Sequence, residues 1–434
     1  MKTVKVCIFG VGNRGNCYGE LAINKPQKMK VVQIVDSNKT ALEWAKNFYH
    51  LNDEDCFNSF DEWLNNHVKK ADAVINCFMD QYHIETTMPL FKLGYDVLLE
   101  KPITNNPKEL IALMDESKKY NRKLMVCHVL RYTPFYLRIK KIIESKELGD
   151  LVTIEMAEHV YLPHMMSSYV RGKWRSEKEC GSPMIMAKCC HDTDLMCWFN
   201  NQATPVYVSS FGERTQFIPQ NKPKDATEKC MDCPHKTTCQ YSCYWYLLNT
   251  AQDAIVFNNA VEGKRFDEVT VDDKIKVFKE SPSLGLCAFS GPQDLVDHQM
   301  SNVVFSNGVT MSLNMVGGAS YPCRTIHVIL TKGEIFGTFE YSRITVRKYV
   351  KEKFSRTTKT IYLGDVGKGH GGGDLRLVED FIDYVRTGKM SLSQTSIDTS
   401  IDGHLVGMAA DLSDKKRKTV RILENKKLEI LWKS

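Results

Sequence analysis

A glycine turn set between an apolar strand and a helix constrains this chain more than any other segment. Val4 to Phe9 is a short apolar run, and Gly10-Val11-Gly12-Asn13-Arg14-Gly15 follows it at once. Asn16 to Lys25 reads as a helix, and a second apolar run, Met29 to Val35, ends at Asp36. A strand, a glycine turn, a helix, a strand and an acid, in that order, are what a dinucleotide site needs. Gly10 permits the tight turn, Gly12 lets the backbone approach a pyrophosphate, and Gly15 lets helix and strand pack closely. The helix N-terminus offers unpaired N–H groups and a partial positive charge to phosphates. Asp36 can accept hydrogen bonds from the adenosine ribose hydroxyls, which favours NAD, while Ser37 and Lys39 leave room for the 2′-phosphate of NADP. A purely structural glycine turn is the bland alternative.

The remainder of the first 120 residues continues the alternation. Helices are predicted over 40–50, 84–92 and 107–120, and strands over 71–78, 96–100 and 123–128. This pattern argues a doubly wound parallel sheet in an α/β domain. The pattern changes after about residue 125. A helix over 134–145 is followed by period-2 strands from Leu151 onward, many joined by turns such as Ser306-Asn-Gly308. The second part therefore reads as α+β with a large, mostly antiparallel open sheet, interrupted by an irregular, Cys-rich insertion at about 217–298.

Bulk properties exclude several classes. Hydrophobic residues make up 43% and charged residues 25% of 434, the ordinary globular range. The net charge of +6 is dispersed, and Lys415-Lys-Arg-Lys418 reads as a solvated loop, so no nucleic-acid partner is expected. No apolar run is long enough for a membrane span. The opening Met-Lys-Thr-Val-Lys leads straight into the first strand, and no signal peptide is expected. Most of the 15 cysteines stand singly in apolar runs, as Cys7, Cys77 and Cys127 do, which suits a reduced, cytoplasmic protein.

Two further motifs complete the pattern, Leu99-Glu100-Lys101-Pro102 at a strand end and His191-Asp-Thr-Asp194 downstream. With the glycine turn, they make the chain resemble the Gfo/Idh/MocA family, the glucose–fructose oxidoreductases, inositol dehydrogenases and their relatives. The resemblance implies a Rossmann domain over 1–125 and an α/β substrate-binding and oligomerisation domain over 126–434, assembled as a homodimer or homotetramer. It implies hydride transfer between NAD or NADP and a hydroxyl or keto group of a sugar, polyol or glycoside. It gives Lys101 a place beside nicotinamide and substrate, and it draws Cys77, Asp80, His83 and Glu100 toward the cofactor. Arg131 borders the nicotinamide on the same ground, or only anchors the domain junction.

The physical logic of these residues stands beside the resemblance. A lysine at the carboxyl end of a parallel strand faces the crevice where ligands bind. It can hydrogen-bond a hydroxyl as its proton leaves. The family commonly has an aspartate four residues before the histidine, and here that position is Ala187. Lys188 and His191 stand three apart on one helix face. His191 is the acid/base candidate, because an ordinary imidazole titrates near neutral pH. Lys188 can replace the missing acid as a ligand for a substrate hydroxyl, and Asp194 can orient the imidazole. The alternative is a core histidine satisfied by Asp194. His370, in Gly369-His-Gly-Gly-Gly373-Asp374, lies on a glycine loop before a helix and is a substrate-contact candidate with Asp374, whose bland role is an N-cap.

Cys230, Cys233, Cys239 and Cys243 fall within 14 residues. Soft thiolates at this spacing suit a structural zinc ion, and an iron–sulfur cluster fits the count. Thiols without metal are the plain alternative. Two other readings of the whole chain stay open: a glycosidase that oxidises C3 transiently with bound NAD, and a nicotinamide-sensing regulator without catalysis.

Overall fold

The computed structural model describes residues 2–431 apart from 67, 251, 259, 293, 352, 353 and 365–369. The chain forms two compact units. The first comprises Met1–Glu100, Leu162–Met184 and Arg214–Asp297, and the second comprises Lys101–Tyr161, Ile185–Glu213 and His298–Ser434.

In the first unit, β1 (Val4–Phe9), β2 (Met29–Val35), β3 (Cys56–Phe57), β4 (Ala73–Asn76) and β5 (Asp96–Leu99) lie parallel in the order β3-β2-β1-β4-β5. These strands are near-continuous Val, Ile and Leu runs because helices cover both faces of such a sheet. The crossovers are α1 (Asn13–Asn24), α2 (Lys39–Tyr49), α3 (Phe60–Asn66) and α4 (His83–Lys92). From β1 the chain passes to β2 on one side, while β4 flanks β1 on the other. The strand order therefore reverses at the carboxyl end of β1, and a crevice opens there. The glycine turn sits at that point. The two inserted segments add a helix at Val271–Glu280, whose start is fixed by a reciprocal cap between Thr270 and Asp273.

The second unit begins at Lys101, the residue after the strand-end Glu100. It holds α5 (Pro107–Lys119), β6 (Leu124–Val126), α6 (Pro134–Glu144) and a ten-stranded sheet. The sheet strands are β7 (Leu151–Tyr161), β8 (Pro205–Glu213), β9 (His298–Phe305), β10 (Thr310–Ala319), β11 (Cys323–Leu330), β12 (Gly333–Thr338), β13 (Arg343–Val350), β14 (Ser355–Tyr362), β15 (Val420–Ile422) and β16 (Leu428–Ile430). Their order is β14-β13-β12-β11-β7-β10-β9-β8-β15-β16, and all the pairings are antiparallel except β7 with β10. Alternate residues of β9 and β11 are buried, as the period-2 pattern requires. The helices Cys190–Phe199 and Ile397–Lys416 meet where Gly403 has no side chain, since a Cβ there would lie 2.7 Å from the Cα of Asp194.

Candidate active site

The glycine turn is built as its spacing predicts. Gly10 has φ +79°, and a Cβ on it would meet the Cys77 carbonyl oxygen at 2.6 Å, so only glycine fits. A Cβ on Gly15 would lie 2.0 Å from the Gly10 carbonyl oxygen, which closes α1 onto the turn. Gly12 differs from both, because a Cβ there would meet nothing within 4 Å. It is the N-cap of α1, and no side chain caps the helix. Open space over an uncapped N-terminus is the arrangement a pyrophosphate requires. Val11 is fully buried. The Asn13 side chain donates to the Ala254 carbonyl at 2.9 Å and accepts from Asn258 at 2.8 Å, so the inserted segment braces the turn.

Asp36 follows the last residue of β2, half-buried beside the turn. Burial pushes its carboxyl above the usual range, opposed by hydrogen bonds from the Asn38 and Val11 amides and by the charge of Lys173. The Arg14 guanidinium bonds Glu100 at 2.8 Å, and the Tyr18 hydroxyl donates to the same carboxylate at 2.6 Å. Arg14 and Glu100 thus lock α1 against the end of β5. Asp80 accepts from the Ser182 hydroxyl at 2.7 Å and the Trp174 indole at 3.2 Å. Cys77 donates its N–H to the Phe9 carbonyl at 2.7 Å. His83 opens α4, fully buried, with its Nε2 3.0 Å from the Phe78 carbonyl.

The second unit brings the other expected residues together. The Lys101 ammonium donates to the Ala187 carbonyl at 3.0 Å, and the Lys101–Pro102 bond is cis. His191 is 4% exposed. Burial, then the charges of Lys101, His370 and His128, hold its imidazole well below the ordinary histidine range, so it is neutral. Its Nδ1 is buried without a hydrogen-bond partner. The ring centroid of His128 lies 5.9 Å from that of His191, and that of His370 lies 5.7 Å away. His370 Nδ1 is 3.2 Å from Asp374. Gly369 lies outside the described residues.

Two sequence expectations change here, those for Asp194 and Asp374, and of the two readings of Arg131 its contacts match the anchor. Asp194 does not orient His191, because both its oxygens accept from Arg131, at 2.7 and 2.5 Å. Arg131 is not available to a cofactor, since its remaining donors go to the Gln394 and Thr399 carbonyls and the Thr399 hydroxyl. It is a buried anchor. Asp374 is not the N-cap of its helix, Gly373–Thr387, because Gly372 takes that position.

Lys188 pairs with Glu158 at 3.1 Å, and Glu158 also meets Arg324, which bonds Asp192 at 3.1 Å. Burial alone would raise the Glu158 carboxyl, yet Arg324 and Lys188 outweigh it and keep it ionised. Sequence reasoning missed Glu158, Arg324 and Asp192, which lie on β7, on β11 and in the helix of His191. It also missed His404, whose ring lies 5.1 Å from His128 and whose Nε2 accepts the Ile103 N–H. A glutamate or an arginine alternating along a strand carries no sign that it is paired, and only the fold reveals it.

Residues 4–128 match the model of the Gfo/Idh/MocA oxidoreductases with an NAD-binding Rossmann fold, and residues 136–258 match the C-terminal domain model of the same family. The chain belongs to the Gfo/Idh/MocA family. It is accordingly an NAD(P)-dependent oxidoreductase acting on CH–OH groups. Among relatives, the chain is 23% identical over 335 residues to YteT of Bacillus subtilis (strain 168), covering 74% of each chain. It is 27% identical over 177 residues to scyllo-inositol 2-dehydrogenase (NADP(+)) IolW of the same organism, covering 41% of this chain and 46% of that one. Among solved structures, levoglucosan dehydrogenase in complex with NADH and L-sorbose superposes with a TM-score of 0.71 at 17% identity, over 98% of this chain and all of that one. That likeness is one of fold.

The zinc expectation fails. Among the described residues, no three His, Cys, Asp or Glu side chains are placed to hold a metal ion. Spacing brought four thiols into one segment, but Cys230 instead contacts the Arg171 guanidinium at 3.3 Å, and the cysteines carry no disulfide. Among the described residues, no helix is long and apolar enough to cross a membrane.

Proposed function

We propose that this family member transfers hydride between NAD and a secondary hydroxyl of a neutral sugar or polyol. The uncapped turn at Gly12 receives the pyrophosphate, and Asp36 accepts from the adenosine ribose hydroxyls. A bound nicotinamide supplies the hydride acceptor or donor. Lys101 follows Glu100 directly in the chain, so the strand that ends the cradle leads into the ammonium that hydrogen-bonds the reacting hydroxyl. His191 accepts the hydroxyl proton. A neutral imidazole with a vacant lone pair can act as a base, whereas an imidazolium cannot. The buried His191 with an unpartnered Nδ1 is the observation that carries this reading. Lys188, its charge balanced by Glu158, donates to a neighbouring hydroxyl of the substrate, and His370, paired with Asp374 and 5.7 Å from His191 between ring centroids, contacts the substrate beside it. Assembly as a homodimer or homotetramer is part of the proposal.

The test is spectrophotometric. Purified protein is mixed with NAD or NADP and a panel of sugars, inositols and sugar acids, and absorbance of the reduced nicotinamide is followed, with Lys101→Ala as control. A signal with neutral polyols that drops about 10²–10⁴-fold in the variant supports the assignment, because that is the range a positioned proton-transfer group supplies. Equal rates in wild type and variant would refute the role of Lys101.

A further inference from the structure

The second unit strings four charged side chains into one line of contacts. The Lys188 ammonium lies 3.1 Å from Glu158 Oε1, Glu158 Oε2 meets the Arg324 guanidinium, and Arg324 Nε lies 3.1 Å from Asp192 Oδ1. Two cations face two carboxylates, so their formal charges cancel. The carboxylates are sealed, with the Glu158 side chain 4% and the Asp192 side chain 0% exposed. The cations keep an edge open, 12% for Lys188 and 11% for Arg324. An arriving ligand therefore meets donors, and the negative charges that balance them lie behind.

The pairing is uneven. Arg324 touches both carboxylates, whereas among the described residues Glu158 is the one carboxylate in ion-pair contact with Lys188. Without the Glu158 charge, Arg324 keeps Asp192 and Lys188 keeps no counter-charge. Lys188 also stands next in the chain to Ala187, whose carbonyl accepts from the Lys101 ammonium at 3.0 Å. We propose that Glu158 is a specificity-determining residue: it cancels the charge of Lys188, and the site thereby takes uncharged sugars and polyols in preference to sugar acids. This inference rests on the reading above that Lys188 meets the substrate. A sugar carboxylate held by Lys188 would come close to the Glu158 carboxylate, and like charges set together in a site reject a ligand strongly. It would also leave its hydration shell for a cation that is already paired, with no free charge to offset that loss. A hydroxyl meets neither penalty. It can accept one ammonium hydrogen while Glu158 accepts another.

The experiment uses the full chain saturated with NAD and three matched sets of probes, hexitols, hexonates and aminohexitols of several stereochemistries. Affinities are read by calorimetry, and kcat/KM wherever turnover is seen. Wild type is expected to prefer a hexitol to the matching hexonate. Glu158→Gln keeps the shape and removes the charge, so the hexonate-to-hexitol ratio should rise about tenfold or more. Lys188→Gln leaves Glu158 uncancelled, and the aminohexitol-to-hexitol ratio should rise there instead, a result that stands even if Glu158→Gln fails to fold. Asp192→Asn changes the charge by the same amount but leaves Lys188 paired, so its hexonate ratio should move less than that of Glu158→Gln. A wild type that prefers hexonates, ratios that stay unchanged in the Glu158 and Lys188 variants, or equal shifts in the Glu158 and Asp192 variants would overturn the role of Glu158 alone. A wild type that binds none of the probes would overturn the sugar site itself, and this inference with it.

Discussion

At the scale of single residues, Asp36 and Arg131 show how charged side chains serve opposite ends. Asp36 keeps acceptor capacity at the mouth of the glycine turn, and its worth should appear in the choice of cofactor. A hydrogen bond to a charged group contributes about 1.5–3 kcal/mol. Asp36→Ala is therefore expected to lower kcat/KM for NAD by about 10–100-fold and to leave NADP almost unaffected. Equal losses with both cofactors would remove Asp36 from ribose recognition. Arg131, by contrast, spends every donor on Asp194, Gln394 and Thr399 inside the second unit. Breaking a buried pair of this kind costs about 3–5 kcal/mol, because one charge is left without its partner. Asp194→Asn should lower unfolding free energy in urea by about that amount, and a change under 1 kcal/mol would contradict the anchor role.

At the scale of elements, the turn between β1 and α1 separates stability from binding. Gly15→Ala pushes a Cβ against the Gly10 carbonyl, which must shift, and crowding of this sort costs about 1–3 kcal/mol. Gly12→Ala meets no protein atom, so its melting temperature should stay within a few degrees of wild type. Its Cβ nevertheless enters the open space proposed for the pyrophosphate, and NAD affinity measured by calorimetry should fall at least tenfold. A Gly12→Ala protein that binds NAD normally would place the cofactor elsewhere. This turn was legible in the sequence because Gly10 and Gly15 answer to local constraints, a positive φ and a close approach, while Gly12 keeps the space over the helix start open. The β strands were legible for a similar reason, since period 2 and continuous apolar runs report burial directly. Arg131 and Asp194 were not, because 63 positions separate partners that only the fold brings together. The four clustered thiols misled for the converse reason. Spacing along the chain suggested a tetrahedral site, while the three-dimensional neighbour that matters, Arg171, comes from a segment 59 residues away.

At the scale of the molecule, the buried histidine ties the proposed base to acid stability. Folding holds the His191 imidazole well below its ordinary value, with burial the largest cause. In the unfolded chain the ring takes up a proton near pH 6.5, whereas in the native protein it stays neutral at that pH. Below pH 6.5 the unfolded state thus binds more protons, and stability falls as pH falls, by up to about 1.4 kcal/mol per pH unit from this group. Well above pH 6.5 neither state is charged there, and the contribution levels off. Asp192 and Asp194 are displaced in the other direction, upward, chiefly by burial. Their folded values exceed the unfolded ones, so they lend stability at low pH that is lost as pH rises through the folded values. A single acid-unfolding curve therefore mixes opposite slopes, and the histidine must be isolated by difference. Urea unfolding of wild type and His191→Asn at pH 7.5, 6.5 and 5.5 does this, since the variant keeps both aspartates. Wild type is expected to lose about 1 kcal/mol more than the variant between pH 6.5 and 5.5 and only about a third of that between 7.5 and 6.5. Parallel curves would mean that His191 takes up its proton in the native protein as readily as in the unfolded chain. A base that is already protonated at pH 6 could not accept the substrate proton there, and the catalytic assignment would fall with the stability argument.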